Sequence, residues 1–138
     1  MSVGARGSVH HIDLNVRDLA ASKRVYGPIL DFLGYRQVKD DPQGCEWDLG
    51  SGNARTSLGL RPCDPSLMGY AHQRYAPGLH HIAWCAESRE AVDAVYRRLV
   101  DLGITVLDAP APYPEYSADY YAVFFEDPDG MKLEVLHE

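Results

Sequence analysis

Hydrophobic and polar residues alternate at two places along the chain, and both places open the same way. Over 11–16, Ile12, Leu14 and Val16 alternate with His11, Asp13 and Asn15, a period-two pattern that predicts a strand with one apolar face. Ile82, Trp84 and Ala86 repeat it. The spacing then becomes helical. Ala20/Ala21, Val25, Ile29, Leu30 and Leu33 predict a helix over about 19–33, with Pro28 expected to kink or divide it. Val92, Val95, Tyr96, Leu99 and Leu102 predict a second helix over 89–102, which Ser88 can cap. Gly34 and Gly103 stand where each stripe ends and predict its C-terminal stop.

Further strand patterns follow each helix. In the first half these are 35–38, 46–49 and 54–60, the last two separated by the turn Gly50-Ser51-Gly52-Asn53. In the second half they are 104–107, 120–126 and 131–137, the last two separated by Asp127-Pro128-Asp129-Gly130. Pro and Gly in that turn suit a type I geometry. Each half therefore reads β-α-β-β-β.

Sliding the chain along itself by 70 positions lays His10-His11-Ile12 on His80-His81-Ile82, Val25-Tyr26 on Val95-Tyr96 and Asp31 on Asp101. The ordered series predicts one α+β domain, 1–138, built from two βαβββ modules. The modules span about 8–60 and 79–138, joined by a loop segment at 61–78. A second loop is predicted at 108–118, stiffened by Pro110, Pro112 and Pro114 and carrying Tyr113 and Tyr116. It reads equally as a rim over a pocket or as a plain surface connection.

Composition narrows the function classes. Thirteen Lys plus Arg against 20 Asp plus Glu give a formal net charge of -7, which lacks the basic footprint of nucleic-acid or acidic-membrane binding. No apolar run has the roughly 18 residues of a spanning helix, and the first residues do not read as a signal peptide. Cys45, Cys63 and Cys85 are too few and too scattered for a disulfide framework. The cytoplasm is the expected location.

The candidate chemistry lies on the polar sides of the strands. His11 and His81 occupy the same place in the two opening strands, and they converge if the modules pack about a pseudo-twofold axis. Glu134, between Leu133 and Val135 in the last strand, offers a carboxylate. Two imidazoles and a carboxylate leave coordination positions open for water or substrate. Each residue also reads as an ordinary surface or structural group, and nothing in the bare pattern joins Glu134 to the two histidines. By parity Asp13 and Asn15 face the same side as His11, and Asp13 suits a general base or an orienting partner. Arg55 and Ser57 are pocket candidates toward a carboxylate or carbonyl. Tyr120 shares a face with Phe124 and is a candidate proton donor, whereas Tyr121 faces the other way. His10 and His80 are expected to point away from their neighbours, and Trp47 and Trp84 to pack.

The paired layout, the openings HHIDLNVRD and HHIAWCAES, and the ending FFEDPDGMKLEVLHE resemble the vicinal oxygen chelate superfamily. That group includes glyoxalase I, bleomycin-resistance proteins, fosfomycin-resistance enzymes and extradiol dioxygenases. The resemblance spans about 8–137 and is most specific at the DPDG turn followed by Glu. It implies a cup-shaped mixed sheet of glyoxalase-like fold. It also implies one divalent ion, with Zn, Ni, Mn and Fe equally acceptable, held by His11, His81 and Glu134. A homodimer is implied as well, consistent with sheet edges that need covering.

Departures from the relatives narrow the chemistry. Glyoxalase I usually takes a fourth ligand from the last strand of its first module, but ARTSLGLRP offers no Glu. Extradiol dioxygenases place an acid–base Tyr where this chain has Phe124. Fosfomycin-resistance enzymes carry phosphonate-holding residues beyond the Glu, and only four residues follow it here. Bleomycin-type binders usually lack the ligands. The expected activity is metal-dependent lyase or isomerase chemistry on a small oxygen-rich or aromatic metabolite, through a stabilised oxyanion. The alternatives are a non-catalytic, sequestering resistance protein and an Fe(II)-dependent dioxygenase.

Overall fold

The computed structural model describes residues 6–138. The chain forms two compact units, one ending at Tyr70 and the other running Ala71–Glu138, so the division falls inside the predicted connecting segment. The first unit runs β1 (His11–Val16), α1 (Leu19–Phe32), β2 (Arg36–Asp41), β3 (Gly44–Leu49) and β4 (Thr56–Pro62). The second runs β5 (His81–Cys85), α2 (Arg89–Asp101), β6 (Val106–Pro112), β7 (Tyr121–Glu126) and β8 (Lys132–His137). Each unit holds one four-stranded mixed sheet, in the orders β1-β4-β3-β2 and β5-β8-β7-β6, with the first pair parallel and the others antiparallel.

The helices begin and end alike. Asp18 Oδ1 accepts the amide of Ala21 at the start of α1, and Ser88 Oγ accepts that of Ala91 at the start of α2, both at 3.0 Å. At the far ends Tyr35 N–H reaches Leu30 C=O and Gly34 N–H reaches Asp31 C=O. Ile104 and Gly103 make the same two bonds to Leu99 and Val100. These are Schellman endings, and both glycines adopt the positive φ that such endings require, 95° at Gly34 and 69° at Gly103.

The apolar face of each sheet packs on its helix. Val16, Trp47, Leu58 and Leu60 are buried with Val25, Tyr26, Ile29 and Leu30 of α1 in the first unit. Phe125, Leu133 and Val135 are buried with Val92, Val95 and Leu99 of α2 in the second. Burial at roughly 25 cal/mol per Å² of apolar surface is the main force holding each layer pair together. Cys45 joins the first core, where burial pushes its thiol up to about 11.

Three expectations are corrected. Pro28 does not divide α1, which runs unbroken over Leu19–Phe32, because the buried side chains on both sides of it hold the helix to the sheet. The segment 108–118 is not all loop, since β6 continues through Pro110 to Pro112. It is the terminal strand of its sheet and its register shifts between Val106 and Asp108 and again before Ala111, the setting in which a strand tolerates proline. Similarly, β4 extends through Arg61 and Pro62, and a 3₁₀ turn at Pro65–Leu67 follows within the expected loop.

Candidate functional site

The opposite face of each sheet is polar, and the strand registers place its residues. In the first unit His11 lies beside Ser57, Asp13 beside Gly59 and Asn15 beside Arg61; Ser57 in turn pairs with Asp48 and Gly59 with Glu46. In the second unit His81 lies beside Lys132, Ala83 beside Glu134, and Glu134 beside Phe124.

The second unit assembles a connected set. Glu134 is 2% exposed on the central strand β8. Its Oε1 stands 3.2 Å from His81 Nε2. Its Oε2 accepts the hydroxyl of Tyr120. Burial, and then the hydrogen bond to Glu134, push the Tyr120 phenol well above its usual value, so it stays a donor. Aromatic rings continue from it: Tyr116 lies 5.2 Å from Tyr120 and 5.8 Å from Tyr113, and Tyr113 packs edge-on at 5.4 Å to Phe124. The Lys132 ammonium sits 4.5 Å from the centre of the Phe124 ring. Tyr121, as its parity predicts, turns to the helix side and donates to Asp93 Oδ1 at 2.7 Å.

His81 is anchored through its other nitrogen. His80 Nδ1 lies 2.7 Å from His81 Nδ1, which leaves His81 Nε2 to face Glu134. The first unit repeats the anchoring, with His10 Nδ1 3.0 Å from His11 Nδ1. His10 and His80 therefore do not point away from their neighbours. Both precede the strands, which start at His11 and His81, so strand alternation does not govern them.

The remaining first-unit candidates divide into engaged and free groups. Ser57 Oγ donates to the buried Asp48 Oδ1 at 2.7 Å. Arg55 precedes β4, with Nη1 3.6 Å from Asp48 Oδ2 and Nη2 3.5 Å from His10 Nε2. Asp48 was not foreseen; its parity with Glu46 across Trp47 in β3 is the signal that would have placed it on this face. Asp13 and Asn15 are exposed on the side of His11. His81, Glu134, Tyr120 and Phe124 thus come together within one unit, while His11, Asp13, Asn15, Arg55 and Ser57 belong to the other. Among the described residues, no group of three or more His, Cys, Asp or Glu side chains is gathered closely enough to hold a metal ion.

A βαβββ unit repeated with its histidine-opened strand and its polar sheet face defines a class that comparison makes specific. The family model of the Glyoxalase/Bleomycin resistance protein/Dioxygenase superfamily matches residues 8–135, and the chain belongs to that superfamily. It is 35% identical over 129 residues to the uncharacterized protein YqjT of Bacillus subtilis (strain 168), covering 93% of this chain and 97% of that one. Among solved structures it is similar to a candidate glyoxalase from Bacillus halodurans, with a TM-score of 0.80, 28% identity, and 96% and 97% of the two chains covered. A lactoylglutathione lyase from Agrobacterium tumefaciens shares the fold at a TM-score of 0.62 and 24% identity, over 95% and 93% of the chains. Among the described residues no helix is long and apolar enough to cross a membrane.

Proposed function

We propose that this protein is a divalent-metal-dependent enzyme acting on a small oxygen-rich or aromatic molecule by lyase or isomerase chemistry, with His11, His81 and Glu134 as the metal ligands. The observation that carries the reading is the doubled histidine. In each unit the strand-opening His has its Nδ1 against the preceding His, the outer-shell anchoring that fixes a ligating imidazole and leaves Nε2 for a metal. In the second unit that Nε2 already faces a buried carboxylate. Imidazole nitrogens with a carboxylate suit Zn, Ni, Mn or Fe(II).

Such an ion, when bound, supplies a Lewis acid that polarises a carbonyl or stabilises a developing oxyanion. The protein's own groups supply the rest. Tyr120 holds Oε2 of Glu134 and so aims Oε1 at the position next to His81. Phe124, with Lys132 over its ring, forms an apolar wall with one positive charge, suited to a flat, anionic or carbonyl-bearing substrate. Asp13, on the face of His11, offers a carboxylate as proton acceptor or as an orienting partner.

Elemental analysis of protein purified without added metal or chelator tests the reading. About one equivalent of Mn, Fe, Ni or Zn is expected in the parent and a near-complete loss in His81→Ala. A parent that stays metal-free after reconstitution overturns it.

The tyrosine cluster of residues 113, 116 and 120 favours a second reading, a protein that sequesters a planar aromatic molecule without converting it. A binder of that kind keeps most of its ligand affinity in His81→Ala, whereas the enzyme loses turnover. Under either reading we propose a cytoplasmic homodimer that uses neither nucleic acid nor membrane. Each four-stranded sheet has two edge strands, and sheet edges need cover. Light scattering is expected to give about twice the 15.4 kDa chain mass, and a monomer at micromolar concentration would exclude the dimer.

A further inference from the structure

The polar sheet face of the second unit has a charged end and an aromatic end. At the charged end His81, Lys132 and Glu126 lie side by side across β5, β8 and β7. Glu126 is the carboxylate directly opposite Lys132, and residues so paired stand about 5 Å apart at Cβ. Lys132 does not take it. Its ammonium lies over the Phe124 ring, and among the described residues it has no ion-pair partner. Glu126 is met instead by Arg74, from the segment before β5, with 3.7 Å between Nη2 and Oε2.

That separation is too long for a hydrogen bond, and Arg74 Nε is buried with no acceptor among the described residues. A guanidinium brings five donors, so this one has donors to spare. Partial desolvation, and then the positive charges of His81, Lys132 and Arg74, hold the His80 imidazole below its usual value, which marks these cations as neighbours. Around Glu126, two permanent cations thus stand against one carboxylate. Glu134, two residues along β8, is occupied by Tyr120 and His81. An orphaned donor and an unpaired ammonium, with one positive charge in excess, are completed by a single negative charge from outside.

The aromatic end indicates what carries that charge. Lys132 reaches Phe124, Phe124 meets Tyr113 edge-on at 5.4 Å, and Tyr116 lies nearly parallel to Tyr113, at 21° and 5.8 Å. Tyr116 is exposed, so the row of rings that starts at the ammonium opens to solvent. Such rings hold a flat aromatic body by offset or edge-on contact.

We propose that Arg74 and Lys132 bind the carboxylate of an aromatic acid whose ring lies along Phe124, Tyr113 and Tyr116. This narrows the substrate class within the reading of a small-molecule site given above, on which it rests, and every residue named belongs to the second unit.

Isothermal titration calorimetry with 2-naphthoate and its uncharged amide, 2-naphthamide, provides the test. The parent is expected to bind the acid about 10-fold more tightly or better, the order of a charge-assisted hydrogen bond. Lys132→Gln is expected to weaken the acid by roughly 10-fold and leave the amide unchanged, and Arg74→Gln to act in the same direction. Tyr116→Ala is expected to weaken both probes alike, by roughly 2–10-fold. Equal binding of acid and amide by the parent overturns the proposal and leaves the small-molecule site standing. An acid preference undiminished in Lys132→Gln and Arg74→Gln puts the carboxylate on another group, such as a metal ion, and also overturns it. No effect of Tyr116→Ala on either probe overturns the placement of the ring. If neither probe binds the parent, the reading of this face as an aromatic site falls as well. Should Arg74→Gln fail to fold by circular dichroism, the parent comparison and Lys132→Gln decide alone.

Discussion

Glu134→Gln is expected to lose bound metal almost completely while its melting temperature barely moves. The side chain is buried on a central strand, held at Oε1 by His81 and at Oε2 by Tyr120. Glutamine has nearly the same shape, and its amide oxygen still accepts from the Tyr120 hydroxyl, so no cavity opens and that buried donor keeps its partner. What disappears is the negative charge, without which the amide is a poor ligand for a divalent cation. Affinity is expected to fall by more than the roughly 10–100-fold typical of outer-shell changes. Tyr120→Phe gives the comparison: it keeps the ligand and removes only its holder, so its loss should stay inside that range. Metal content after equilibrium dialysis, measured beside a thermal melt, separates the cases. A Gln variant that retains a full equivalent would remove Glu134 from the ligand set.

Phe125→Ala is expected to produce the largest loss of stability, about 3–5 kcal/mol, through lost burial and the cavity left behind. Phe125 is 1% exposed on β7, with Val106 and Leu133 beside it in the neighbouring strands. It lies on the face that carries α2, and such a loss is a large share of the 5–15 kcal/mol that usually holds a domain together. Urea unfolding followed by circular dichroism should show the midpoint falling with little change in slope. Tyr116→Ala, at a residue 65% exposed, should change stability by no more than about 0.5 kcal/mol. A loss below about 1 kcal/mol for Phe125→Ala would mean that the layer closes over the gap.

Much of this architecture is readable in the chain because local and long-range signals agree. The His-His-Ile openings, the helical stripes and the two terminal glycines each mark the same boundaries in both modules, and Gly34 and Gly103 end their helices with the same pair of bonds. Prolines misled where tertiary position outweighs local preference. Pro28 sits among residues whose burial holds α1 together, and Pro110 and Pro112 lie on a strand whose outer side needs no donors. At the site, parity placed Asp13, Tyr120, Phe124 and Glu134 on the correct faces. It failed for His10 and His80, just outside the strands. It was silent on Asp48, whose meaning depends on which strand lies alongside, a fact of register that no single segment carries.

The outer strands β2 and β6 have a consequence beyond the site. All of β2 is exposed and rich in charge, with Arg36, Lys39, Asp40 and Asp41, while β6 carries Pro110 and Pro112 and two shifts of register. Neither offers the flat, uncharged row of amides and carbonyls on which another chain could lay a matching strand. Concentrated solutions of this protein are therefore protected, at both of those rims, from the strand-upon-strand accretion that builds fibres.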